Sequence, residues 1–133
     1  MRKGIVFITV LLFIIAMVGC EFSISTAKIT EAVPCKAVDA HKKPISPQDT
    51  FSTSDKAIFV SLKAENVPSG TKVHMHWYYE GAEVGTYTAE LDESMYLESH
   101  LYREEGLLPG TYEAEFYIDD REKPDQTIKV VVE

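Results

Sequence analysis

The chain has 133 residues, 13 basic against 21 acidic, and a formal net charge of −8. Once a leader is set aside, that length holds one domain with a real core and is too short for two. The acidic balance excludes nucleic acid and anionic lipid headgroups as electrostatic partners and favours a protein that is at least locally basic, or a divalent cation.

The N-terminus stands apart from the rest. Arg2 and Lys3 precede an apolar run from Gly4 to Gly19 that ends in small residues, the layout of an export signal with a helical apolar segment. Its 16 residues fall short of the roughly 20 that a bilayer span requires. The segment closes on "MVGC", which resembles the lipobox of bacterial lipoproteins, with Gly19 before the cut and Met17 in place of the usual leucine. The resemblance implies a leader over residues 1–19, cleavage before Cys20, and acyl chains on Cys20 as a membrane anchor in the cell envelope. The anchored protein then faces the periplasm or the exterior. Glu21 is not the aspartate that retains enteric lipoproteins at the inner membrane, so the choice between membranes stays open. Several chains on one cysteine hold firmly, because each buried methylene adds about 0.8 kcal/mol. With Cys20 acylated, Cys35 has no partner in its own chain. It is expected as a small buried thiol, and the fold must hold without a disulfide.

Residues 20–28 form the lipidated cysteine and a polar tether, and residues 29–133 form the body. In the body the apolar period is two, and turn signals arrive every 8–15 residues. The first strand is expected over Ile29 to Val38. "DAHKKPISPQDTFST" follows as a loop, since its prolines and polar residues interrupt a ladder. "AIFVSLKAENV" then alternates Ile58, Val60, Leu62 and Ala64 against Phe59, Ser61, Lys63 and Glu65. "TKVHMHWYY" turns Val73, Met75, Trp77 and Tyr79 inward and His74, His76 and Tyr78 outward. "EVGTYTAEL" reads as a weaker strand. "MYLESHLY" sets Met95, Leu97, Ser99 and Leu101 against Tyr96, Glu98, His100 and Tyr102. "TYEAEFYID" turns Tyr112, Ala114, Phe116 and Ile118 inward and Glu113, Glu115 and Tyr117 outward. "QTIKVVVE" closes the chain with Ile128, Val130 and Val132.

About seven half-apolar strands in this length predict an all-β class, a single antiparallel sandwich of immunoglobulin-like dimensions. An inward Trp77 on the third strand, and Tyr112 after the Pro-Gly turn of "LPGTYEA", resemble the tryptophan and tyrosine corner of immunoglobulin-like folds. Ala114 stands where antibody domains carry a cysteine, so the disulfide of that family is missing. "WYYEG" with "LPGTYEAEFYID" is similar to small immunoglobulin-like modules of prokaryotic surface proteins and lipoproteins. That likeness implies a fold and a place in the envelope, and no chemistry.

His74 and His76 stand about 7 Å apart on one face of their strand. In the immunoglobulin arrangement the third strand pairs with the sixth, which brings Glu113 and Glu115 beside them. Two imidazoles and two carboxylates can hold Zn²⁺ or Cu²⁺. They can equally form a solvated cross-strand ladder, or part of a partner-binding face. His41 falls in a loop beside lysines, where it is expected to be solvated, and His100 on the opposite sheet. Ser61 and Ser99 lie mid-strand without a base, and no nucleophile elbow or phosphate-cradling loop occurs. Acidic pairs such as Asp119–Asp120 fall in turns, and a calcium site at "IDDREKPD" lacks regular spacing. Tyr78 and Tyr117 add outward aromatic area of the kind that recognition surfaces use. The reading is a non-enzymatic module without a cofactor. It binds a protein or glycan through His74, His76, Tyr78, Glu113, Glu115 and Tyr117, with an envelope metal-binding protein or a structural accessory subunit as alternatives.

Overall fold

The computed structural model describes residues 26–133, so the leader, the lipobox and Cys20 lie outside the described residues. Nine strands form, and no helix occurs among the described residues. They are β1 (Lys28–Val38), β2 (Pro44–Pro47), β3 (Thr50–Phe51), β4 (Ala57–Glu65), β5 (Thr71–Tyr79), β6 (Ala82–Leu91), β7 (Met95–Tyr102), β8 (Gly110–Ile118) and β9 (Gln126–Val132). One sheet runs β2-β1-β4-β7 and the other β3-β9-β8-β5-β6. The period of two therefore produced what it predicts, two sheets packed as an all-β sandwich, antiparallel throughout except where β3 joins β9.

The core lies between the sheets. Ile58, Val60 and Leu62 of β4 meet Val73, Met75 and Trp77 of β5, together with Ala114, Phe116 and Ile118 of β8 and Val130 of β9, all buried. Each large apolar side chain taken fully from water stabilises the fold by about 1.5–3 kcal/mol. Trp77 buries its ring while its indole N–H donates to Ser99 Oγ on the facing sheet. The Tyr112 hydroxyl donates to the Leu108 carbonyl at 2.8 Å, pinning the Pro109–Gly110 turn to the start of β8. That is the bond a tyrosine corner makes.

The stretch expected as one loop after Val38 contains two short strands, which raises the count from seven to nine. β2 pairs with the outer edge of β1, setting Ala37 against Ile45 and Cys35 against Pro47. Prolines at both ends of β2 are compatible with an edge, where no further ladder needs their missing N–H. β3 runs parallel to β9, with Phe51 opposite Val132 and buried. The sandwich also begins slightly before Ile29, because Lys28 opens β1 and Ala27 is already buried.

Cys35 is free and fully buried as expected, but not in the main core. Its register opposite Phe59 puts it on the outer face of its sheet, beside Pro47 of β2. There the tip of the β1–β2 hairpin bends inward, and Ser61 Oγ donates to the Lys42 carbonyl at 2.6 Å. Lys43 Nζ reaches over the Tyr96 ring at 5.5 Å from its centroid.

The two lateral edges of the sandwich differ. On one, β1 is laced to the β8–β9 connection: Ile29 N–H donates to Asp125 Oδ2 at 3.2 Å, and Gln126 Nε2 donates to the Ile29 carbonyl at 2.9 Å. Arg121 holds both Asp125, at 2.7 Å, and the Ala27 carbonyl, at 2.7 Å. On the other edge lie β6 and β7, each the last strand of its sheet.

Candidate functional site

β5 and β8, the third and sixth strands of the sequence reading, do pair. Their register sets His74 opposite Tyr117, His76 opposite Glu115, and Tyr78 opposite Glu113. Because Trp77 and Ala114 point into the core at the same level, alternation carries all six predicted residues onto the outer face of the larger sheet. His100 sits apart on β7, tilted against Phe59 and bonded to Glu98 at 3.0 Å. His41 is exposed in the β1–β2 turn, its backbone N–H donating to Asp39 Oδ1.

Glu115 is the hub of the face. The Tyr117 hydroxyl donates to its Oε1 at 3.2 Å. Tyr78 lies against the same carboxylate, and its phenol is pushed up to about 12, first by partial desolvation and then by Glu115 and the charge of Glu83. Tyr117 is shifted upward as well, again by desolvation and then by Glu115. Both phenols are therefore held as neutral donors at neutral pH.

The histidines take different partners. His74 Nδ1 shares a 2.8 Å hydrogen bond with Thr88 Oγ1. The His76 ring meets the Tyr117 ring edge-on, with centroids 5.5 Å apart and planes at 82°. Its Nδ1 is turned out of solvent without a hydrogen bond, and the nearest acidic oxygen is Glu83 Oε1 at 3.5 Å. At that distance the contact is an ion pair when the ring is protonated, and not a well-formed hydrogen bond.

Glu83 and Thr88 belong to β6, whose contribution the sequence reading missed. The signal was present in the alternation of "EVGTYTAEL", since β6 follows β5 through a two-residue turn and must lie antiparallel beside it. Two shallow depressions mark the face. One is bordered by His74, His76, Tyr117 and Asp119 to Arg121. The other lies between Tyr78, Gly81, Glu113 and Glu115.

Among the described residues, no group of three or more histidine, cysteine, aspartate or glutamate side chains converges as a metal site. His74 and His76 contact Thr88, Glu83 and Tyr117 across the neighbouring strands. The acidic turn residues serve the fold. Asp119 Oδ1 accepts the Lys72 N–H at 2.9 Å, and Asp125 is paired with Arg121. Ser61 and Ser99 are buried and hydrogen-bonded to structural partners, Lys42 and Trp77. What the face offers is a row of neutral phenol donors, carboxylate acceptors and aromatic edges.

Comparison with protein-family models and with curated proteins returns no match. The functional reading therefore rests on the geometry of this chain.

Proposed function

We propose that this protein is a lipid-anchored, extracytoplasmic interaction module with an immunoglobulin-like sandwich. It binds a protein or glycan partner through the outer face of β5 and β8 and catalyses no reaction. The observation that carries the reading is the cluster around Glu115. It places His76, Tyr78 and Tyr117 side by side, each half-buried, on the outer face of the sheet. Tyrosine gives large contact area at low entropic cost, and its hydroxyl supplies a directional donor. The flanking carboxylates of Glu83, Glu113 and Glu115 suit a partner that brings a basic side chain or a set of sugar hydroxyls. The lipobox-like "MVGC" supplies the anchor at Cys20 and the address in the envelope. The immunoglobulin-like assignment draws on inward Trp77, the Tyr112 corner and the pairing of β5 with β8.

The deciding experiment is affinity capture from envelope extract with the acylated protein, followed by the same capture with Tyr117→Ala and His76→Ala. One stoichiometric partner, lost with either variant while the melting temperature holds, is expected. A partner retained by both variants would remove the contact from this face. The anchor is tested separately, because Cys20→Ala should leave the protein unprocessed or released from membranes. Membrane attachment of a cleaved Cys20→Ala product would overturn it.

A further inference from the structure

The second feature of interest lies on a different surface, the unlaced edge between β6 and β7. β6 is hydrogen-bonded only to β5 and β7 only to β4, so one row of backbone N–H and C=O groups along each lacks a strand partner among the described residues. Such rows are templates for a further strand.

The side chains on this edge show that the wall is open. The register sets Tyr87 opposite Met75, Ala89 opposite Val73 and Leu91 opposite Thr71, so all three point toward the interior. Tyr87 is nevertheless 64% exposed, and Met95, inward opposite Ala64, is 44% exposed. An inward-facing tyrosine that remains mostly wet marks a sandwich flank that its own chain does not cover. Between the strands runs a groove of about 580 Å³ with Trp77 and Ser99 in its floor. Every β7 residue from Met95 to Leu101 borders it, and the inward-facing ones, Met95, Leu97, Ser99 and Leu101, recur at every second position. That is the spacing at which an added strand presents alternate side chains.

We infer that this edge captures an extended segment of a partner protein by strand addition to β7, the segment carrying apolar residues at alternate positions and lysine or arginine between them. The apolar half follows from the groove, which accepts only side chains on the inward side of the new strand. The basic half follows from charge. Glu90 and Glu98 line the groove, Asp92 and Glu93 are exposed at its end, and the whole chain carries −8. Lys42 and His100 also line it; His100 is bonded to Glu98 at 3.0 Å, and Lys42 offsets one of these four acidic side chains, leaving acid in excess. The addition goes to β7 because its pairing with β4 runs without a shift over the full strand. β6 instead shifts register between Trp77 and Tyr78, leaving Val84 as an extra residue. A bulge of this kind spoils an edge for long self-pairing. A second copy of this chain would also bring the same negative charge to the groove.

The test uses the full mature chain and a synthetic nine-residue peptide alternating valine and lysine. Amide exchange along residues 95–102 should slow on adding the peptide, and fluorescence from Trp77, the only tryptophan, should shift. Ala89→Arg should abolish both effects, and Met95→Arg serves as a second, more exposed blocking variant. A valine–glutamate peptide should bind about tenfold more weakly. The valine–lysine peptide N-methylated along one edge keeps its charge but should slow no exchange. Tyr117→Ala should leave peptide binding intact, which separates this groove from the β5–β8 face. Three results would overturn the inference: no slowing on β7, equal binding of the N-methylated peptide, or a concentration-dependent dimer lost on Met95→Arg. The last would assign the groove to a second copy.

Discussion

Trp77 Nε1 donates a 2.8 Å hydrogen bond to Ser99 Oγ, joining β5 of one sheet to β7 of the other through the buried interior. Both side chains are almost wholly withdrawn from water, so Ser99 is the partner this N–H relies on. Ser99→Ala should therefore cost about 1–3 kcal/mol, the penalty of an orphaned buried donor. Trp77→Ala should cost about 3–5 kcal/mol through the cavity it leaves. Denaturant unfolding of both variants and the double variant checks this. A double variant no less stable than Trp77→Ala alone is expected, because Ser99 then has no indole to satisfy.

Gly106 gives a sharper steric prediction. Its backbone has φ +95°, and a Cβ there would collide with the Thr53 carbonyl oxygen. The loop cannot simply move aside. Leu107 N–H donates to the Asp55 carbonyl at 2.8 Å, and Arg103 Nη1 donates to the Gly106 carbonyl at 2.8 Å. Gly106→Ala should cost about 2–4 kcal/mol from backbone strain and the clash together. Gly85→Ala, whose added methyl meets nothing within 4 Å, should stay within about 0.5 kcal/mol of the parent. Melting temperatures of the two variants decide the matter.

The raised phenol of Tyr78 carries a pH dependence. Its ordinary value is about 10 and the folded value about 12. Folding thus favours the protonated phenol. The associated stability is fully present below about pH 10 and is lost as pH rises through about 12. Tyr78→Phe should flatten that alkaline decline in part, since Tyr117 and Tyr112 are also shifted upward. Glu115→Gln should lower the Tyr78 titration by removing the adjacent carboxylate, read from phenolate absorbance against pH. A Tyr78 titration unmoved by Glu115→Gln would show that Glu115 does not set it, leaving desolvation and Glu83 as the causes.

Cys35 reports on the β1–β2 hairpin. Burial pushes its thiol up from the usual value, which makes it a poor nucleophile while the hairpin is closed. Ser61→Ala removes the 2.6 Å bond to the Lys42 carbonyl that ties the hairpin tip to β4. In protein lacking Cys20, thiol labelling at Cys35 should accelerate about tenfold with Ser61→Ala, while the melting temperature changes little, because the opening is local. Equal labelling rates would mean that Cys35 is exposed only by global unfolding.

The sequence by itself determined the two-sheet class, because a period of two with interspersed turns admits few other ways to bury alternate residues. It also determined the division of "KVHMHWYYEG" into a core side and a surface side, since alternation on a strand leaves no freedom once Trp77 is inside. The six residues of the β5–β8 face follow from that alternation together with the expected pairing. Only the tertiary structure decided what lies beside them. Glu83 and Thr88 enter the face because β6 stays with β5. Cys35 is buried outside the main core where a proline-bounded strand pairs beside it and the hairpin tip is tied to Ser61. Tyr87, which alternation alone would place in the interior, is wet because no strand of the described chain closes the flank between β6 and β7. Alternation tells which side of a strand a residue occupies, whereas burial also requires a neighbour on that side, and neighbours are set by contacts distant in sequence.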